Sequence, residues 1–190
     1  MRKHAESDVD YRNIGRGGQN VRVSDQTVRP RNEDDLDDLV GILAEVHERD
    51  GFPVHWPDRP VEWVRRACAL GAWVAELDGR SVGHVGLSSS GDGNLAPRLW
   101  SDRTGVGVER TAVLTRLFVS RTARGHGVGT SLIGEATKEA RRRGLHPVLD
   151  VVSSNVAAVA LYERLGWERM ATLDERWGAR TVAIHCYAAP

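Results

Sequence analysis

Leu117-Phe118-Val119-Ser120-Arg121-Thr122-Ala123-Arg124-Gly125-His126-Gly127-Val128-Gly129-Thr130 is the stretch on which the reading of this chain turns. An apolar, β-type run ends at Val119; Arg124 and three alternating glycines then open an amphipathic helix. Glycine lets a backbone approach a ligand closely, and a helix N-terminus presents unpaired N–H groups with partial positive charge. Together they make a cradle for a diphosphate. The cradle is not a Walker loop, which needs GxxxxGK[ST], because no lysine sits within it. Nor is it the dinucleotide fingerprint GxGxxG, because Thr130 stands where the third glycine belongs.

Outward from this stretch, apolar periodicity and Gly/Pro punctuation divide the chain. Upstream, valines alternate with polar residues over 19–29 (Val21, Val23, then Val28), which predicts a first strand stopped by Pro30. Asn32 is a good N-cap followed by Glu33, Asp34 and Asp35, and Leu36, Leu39, Val40, Leu43 and Val46 keep helical spacing until Gly51. A rigid aromatic loop follows at 52–57, and Pro60 starts a second helix that Gly71 closes. Residues 72–77 and 81–87 read as strands around Asp78-Gly79, a strong hairpin signal. Serine, glycine and aspartate dominate 88–108, with Leu99 and Trp100 as the bulky anchors, which predicts a long loop. Downstream come a strand over 110–120, a helix over 127–143 closed by Gly144, and a doubly covered strand over 147–152. A helix capped by Asn155 and ended by Gly166 follows, and strands over 167–173 and 181–188 close the chain. The predicted order is β-α-α-β-β-β-α-β-α-β-β.

Composition limits the function. The 190 residues suffice for one domain with a buried core, and 41% apolar and 27% charged residues are ordinary for a globular chain. Lys plus Arg equals Asp plus Glu at 26 each, so a nucleic-acid partner is not expected. Arg141-Arg142-Arg143 sits at a helix C-terminus, where cations are favoured in any case. Cys68 and Cys186 read as small hydrophobes in a reducing compartment. With no membrane-length apolar run, the expectation is a cytoplasmic protein without a membrane partner. Residues 1–20 read as a disordered leader and 21–190 as a single domain. No metal is expected: His47-Glu48 does not extend to HExxH, since Gly51 takes the last place. Gly86-Leu87-Ser88-Ser89-Ser90 fails the GxSxG nucleophile elbow at its final position.

Arg124, Gly127 and Gly129 fit R-x-x-G-x-G, which resembles the acyl-CoA-binding motif of the GCN5-related N-acetyltransferase (GNAT) family. A second segment, Asn155-Val156-Ala157-Ala158-Val159-Ala160-Leu161-Tyr162-Glu163-Arg164-Leu165-Gly166-Trp167, resembles N-x-x-A-x-x-L-Y-E-x-x-G-[FW] of the same family. One helix and one strand separate the two, which is the family's order. The resemblance covers roughly 21–188 and is most specific over 113–167. It implies an α/β fold: a mixed central sheet of about seven strands flanked by about four helices, splayed between the strands 110–120 and 147–153.

The resemblance also implies acetyl-CoA as co-substrate, an amine-bearing acceptor and direct transfer through a tetrahedral intermediate. Cofactor contacts then fall on Leu117, Phe118, Val119, Arg124, Gly125, His126, Gly127, Val128, Gly129, Thr130, Asn155 and Tyr162, and the backbone N–H of Val119 becomes the oxyanion donor. Tyr162 matches the general acid that protonates the leaving thiolate. Several relatives carry a glutamate on the long strand where this chain has Val113, so the base is left among Glu109, His84 and water. His55 and Trp56 fall in the loop that walls the acceptor pocket in the family. Two other readings keep the same scaffold: a non-catalytic acyl-CoA sensor, and acyl transfer to a hydroxyl. Exposed strand edges near the C-terminus would permit a homodimer.

Overall fold

Two residues in positive-φ backbone, Asp78 at 51° and Gly79 at 76°, make the tight turn that the sequence announced. The strands they join anchor the sheet. The computed structural model describes residues 25–66, 68–91, 93–178 and 180–190. The expectations of a leader over 1–20 and of strand residues Val21 and Val23 lie outside them. Among the described residues the elements run β1 (Gln26–Pro30), α1 (Leu36–Asp50), α2 (Pro60–Arg65), β2 (Gly71–Leu77), β3 (Arg80–Ser89), α3 (Ala96–Thr104) and β4 (Thr111–Val119). They continue with α4 (Val128–Arg142), β5 (His146–Val152), α5 (Val156–Arg164), β6 (Glu168–Trp177) and β7 (Arg180–Ala188).

The seven strands form one mixed sheet in the order β1-β2-β3-β4-β5-β7-β6. Only β4 and β5 run parallel, and they pair at just three rungs: Thr111 with His146, Ala112 with Pro147 and Val113 with Val148. Beyond Val113 the two strands part, as the resemblance implied. The main core packs Trp73, Val85, Leu114, Leu149 and Tyr187 of the sheet against Leu132 and Ala136 of α4 and Tyr162 of α5. On the opposite face, Leu39 and Leu43 of α1 and Val64 of α2 bury Val74 and Phe118. A third cluster joins Ala96 of α3 to Val113, Val148, Ile184 and Cys186.

Asp35 secures the entry to α1. Its carboxylate accepts the Asn32 N–H at 2.6 Å and two bonds from Arg29 at 2.8 and 2.6 Å. The Arg29 guanidinium holds the Asp35 carboxyl below its ordinary 3.8. The pair's contribution is therefore complete above the unfolded value and is lost as pH falls through the depressed folded one. Asp35→Asn is expected to cost about 2 kcal/mol, from charge-assisted bonds and a helix cap together. Urea denaturation at pH 7 measures the loss, and the gap to wild type should close as the pH drops toward 3.

Two elements differ from the sequence reading. Residues 88–108 were expected to be a loop, yet 96–104 are helical. The reason lies 54 residues downstream: Asp150 on β5 accepts the N–H of Leu95 through Oδ2 and of Ala96 through Oδ1, both at 2.9 Å. That carboxylate caps α3 from another strand. The second helix ends at Arg65 rather than running toward Gly71. Arg31 donates to the carbonyls of Val64 at 2.7 Å and Arg65 at 3.4 Å, and Arg66 is already extended.

Candidate active site

The divergence of β4 and β5 opens a slot of about 710 Å³. One wall is Leu117, Phe118 and Val119 of β4; the other is 154–158 with Leu161 and Arg164 of α5. The glycine loop and the start of α4 form the floor, and Val46, Asp50 and Phe52 close the side next to α1.

The floor carries helix-start amides of the kind that can receive an anion. Gly125 and Gly127 stand at φ of 82° and 81°, where a side chain would be strained, and a Cβ on either would meet only open space. Gly127 is the N-cap of α4, and no side chain caps it. The first-turn amides of Val128, Gly129 and Thr130 therefore keep their N–H groups free of helical acceptors. Gly129 has a different reason: a Cβ there would sit 2.9 Å from Leu161 Cδ2, so glycine lets α4 approach α5. His126 is exposed and its Nδ1 lies 3.1 Å from the Arg124 carbonyl, so what it brings to the loop is its backbone. Asn155 spends its side chain on capping α5, accepting the Ala158 N–H at 3.2 Å.

Arg124 and Arg164 add positive charge. In this structure Arg124 is ion-paired with Asp50, and its Nε also reaches the Val119 carbonyl at 3.3 Å. Arg124 holds the Asp50 carboxyl below its ordinary range. An anion bound at the loop would compete with Asp50 for the same guanidinium. Asp50→Asn is accordingly expected to lower the Kd of the slot's anionic ligand about two- to fivefold, the worth of an exposed pair. Calorimetry with coenzyme A measures it.

At the wall, Ser120 donates its N–H to Val82 at 2.7 Å. Successive residues of a strand direct their amides to opposite sides, so the Val119 N–H points away from β3 into the open slot. The wall also carries a bulge. Between the pairs His84–Phe118 and Gly86–Thr115, β4 contains one residue more than β3. Arg116, at φ 51°, absorbs it. The bulge reverses the alternation of β4: Leu114 packs in the main core, whereas Phe118, four residues on, packs under α1.

Neither candidate base lines the slot. Glu109 lies before the start of β4, at the end opposite Val119; nine strand residues put roughly 25 Å between them. His84 is fully buried, with Nδ1 on the Arg116 carbonyl at 3.0 Å, Nε2 facing Arg31 at 3.5 Å and its ring stacked on Phe118. Burial pushes it down to about 4, so it is neutral at physiological pH, and its free lone pair faces a cation. Val113 does not face the slot either: it is 2% exposed within the α3 cluster, at the last rung before the strands part.

Tyr162 is 5% exposed and packs its ring against Trp167 and Tyr187, just behind the slot residues Ala158 and Leu161. Burial raises its hydroxyl well above the ordinary 10, so it keeps its proton throughout the physiological range. His55 and Trp56 stand outside the slot, where His55 approaches Trp177 of β6 and Trp56 approaches His47. Arg164 also lines the slot and was not singled out from the sequence. Arg164 lies inside the second motif, but nothing local distinguishes it from an ordinary solvated helix residue.

The model of the acetyltransferase (GNAT) family matches residues 37–167. An uncharacterized N-acetyltransferase of Methanocaldococcus jannaschii is 29% identical over 153 residues, covering 77% of this chain and 62% of that relative. This chain thus spans about three fifths of that protein's length. The L-methionine sulfoximine/L-methionine sulfone acetyltransferase of Pseudomonas paraeruginosa is 28% identical over 152 residues, 74% of this chain and 83% of the relative. Among solved structures, the Salmonella typhimurium protein yncA, crystallised with acetyl-CoA, shares the fold with a TM-score of 0.61 at 21% identity, covering 86% of this chain and 92% of that one. The glycine cradle, the parted strands and the matched segment together place this chain in the acetyltransferase (GNAT) family.

Proposed function

We propose that the protein is an acetyl-CoA-dependent N-acetyltransferase that acts on an amine acceptor. The observation that supports this most is the slot between β4 and β5, with free helix amides at its floor and the unpaired N–H of Val119 on its wall. Those groups suit a diphosphate at one end and a developing oxyanion at the other. Bound there, acetyl-CoA would supply the activated acyl group.

The residues of the chain then have separate tasks. Leu117 and Val119 offer backbone groups to an extended amide-bearing chain, much as an added strand would. The Val119 N–H stabilises negative charge on the acyl oxygen. Tyr162 holds the proton that the departing thiolate needs. Asp50 is the one carboxylate lining the slot among the described residues, and it is engaged with Arg124. Water at the open mouth is therefore the acceptor of the amine's proton, and kcat/KM should rise with pH toward the amine's own pKa. The amine reading also draws on the relatives, both of which are named for acetyl transfer, one of them to an amino acid derivative.

Thiol release from acetyl-CoA against an amine panel tests the proposal, with product mass spectrometry to distinguish amide from ester. Tight coenzyme A binding without turnover on any amine would favour a sensor, and no coenzyme A binding at all would end the reading of the slot.

A further inference from the structure

Next to the slot, on the face of the sheet that carries α1 and α2, lies a cation that the mechanism above does not use. Arg116 emerges from the bulge of β4, one residue before the slot residue Leu117. Its guanidinium stacks on the Trp63 ring at 4.5 Å, and Trp63 in turn meets Phe52, which lines the slot, edge-on at 6.1 Å. Its Nε and Nη1 are buried and have no hydrogen-bond partner. Among the described residues no carboxylate pairs with it.

The neighbours make matters worse for an isolated charge. Arg31 is a second cation beside it, and its Nη1 is shared among the Val64 carbonyl, Cys68 Sγ and His84 Nε2. His84 is neutral there, and burial raises the Cys68 thiol, so neither supplies a negative charge. Two buried guanidinium nitrogens without acceptors are costly, and the positive φ of Arg116 adds backbone strain at the same residue. Both costs persist in a fold only where something else repays them. A carboxylate does so: its two oxygens offer about four acceptor sites and one negative charge to a donor that presents a planar array of N–H groups.

Resting on the proposed acetyl transfer, we infer that Arg116, supported by Arg31, anchors a carboxylate carried by the acceptor, and that the acceptor is an amino acid. The cradle at 124–130 already provides for the diphosphate of the acyl donor, so the anion at Arg116 belongs to the other substrate. Trp63 holds the guanidinium plane, and its edge-on contact with Phe52 joins that plane to the lining of the slot.

The test compares the common L-amino acids with the primary amines left when their carboxylates are removed. Turnover is followed by thiol release, and binding by calorimetry on the free and the coenzyme A-loaded protein, so that binding decides even if nothing is turned over. At least one amino acid should bind, with kcat/KM about 100-fold or more above its decarboxylated counterpart, because a site built to hydrogen-bond a group rejects the analogue lacking it. Arg116→Gln should raise the KM of that amino acid by about the same factor while leaving the decarboxylated amine and coenzyme A affinity as in wild type. Arg116→Met, which keeps a flexible stem on Trp63 and removes the buried charge, should melt at or above the wild-type temperature without ligand.

No amino acid binding, equal use of both series, equal damage to both by Arg116→Gln, or a marked fall in melting temperature for Arg116→Met would overturn the inference. Coenzyme A binding separates the two readings: a protein that binds it and ignores carboxylates refutes only the role of Arg116.

Discussion

Val119→Pro is expected to lower kcat about 10²–10³-fold, the value of one well-placed oxyanion donor. Proline deletes the N–H and leaves the rest of the strand's bonding in place. The ladder to β3 does not use that N–H, since the neighbouring Ser120 makes the bond to Val82. Phe118, the residue before it, is already in a strand, the conformation that proline demands of its predecessor. The fold should therefore survive, with a melting temperature close to wild type, and coenzyme A should still bind through the loop at 124–130. Val119→Ala is the control: it trims a side chain that has no part in the proposed chemistry and should stay near wild-type turnover. A proline variant with undiminished kcat would show that the oxyanion is held elsewhere.

Tyr162→Phe should lower kcat by about 10²-fold or more, the usual contribution of a positioned general acid. The substitution keeps the ring between Trp167 and Tyr187, so the core loses little. Among the described residues the Tyr162 hydroxyl has no protein partner, in contrast to that of Tyr187, which donates to Glu163 at 3.0 Å. Stability should consequently change by well under the roughly 1 kcal/mol of an ordinary hydrogen bond. The pH profile adds a second readout. Because burial raises the hydroxyl, the protonated form persists as pH rises through 10, and the wild-type rate should show no alkaline fall below that point. Unchanged kcat with a lowered melting temperature would reduce Tyr162 to a core residue.

Where the physics was local, the residues announced the structure. Asp78-Gly79 made its turn because only a few residues tolerate two successive positive φ values. Asn155 capped its helix with its own side chain, and the leucines of α1 buried the stripe their spacing drew. The glycine run is of the same kind: Gly125 and Gly127 adopt backbone that other residues resist. Hence the cradle, the strand before it and the helix after it could be read from one chain segment.

Where a partner came from far along the chain, the reading failed. Near residues 96–104 only Pro97 hints at a helix start, because the cap is Asp150 on a neighbouring strand. Nothing near 66 explains why α2 stops, because Arg31 takes its last carbonyls. The length of β4 and the depth of burial set Glu109 and His84 apart from the slot, and neither shows in the local sequence. A charged residue inside the apolar run of β4 was the one visible hint of Arg116, but the bulge that aims it depends on the register with β3.

The sequence alone marked most of the elements, the family they belong to and the glycine loop that opens α4, since backbone propensity and short-range hydrogen bonding decide those things. Tertiary structure alone decided which charges are buried, which are paired and which stand unanswered beside the slot. The burial and pairing of charges depend on residues brought together from distant parts of the chain, and no local pattern encodes them.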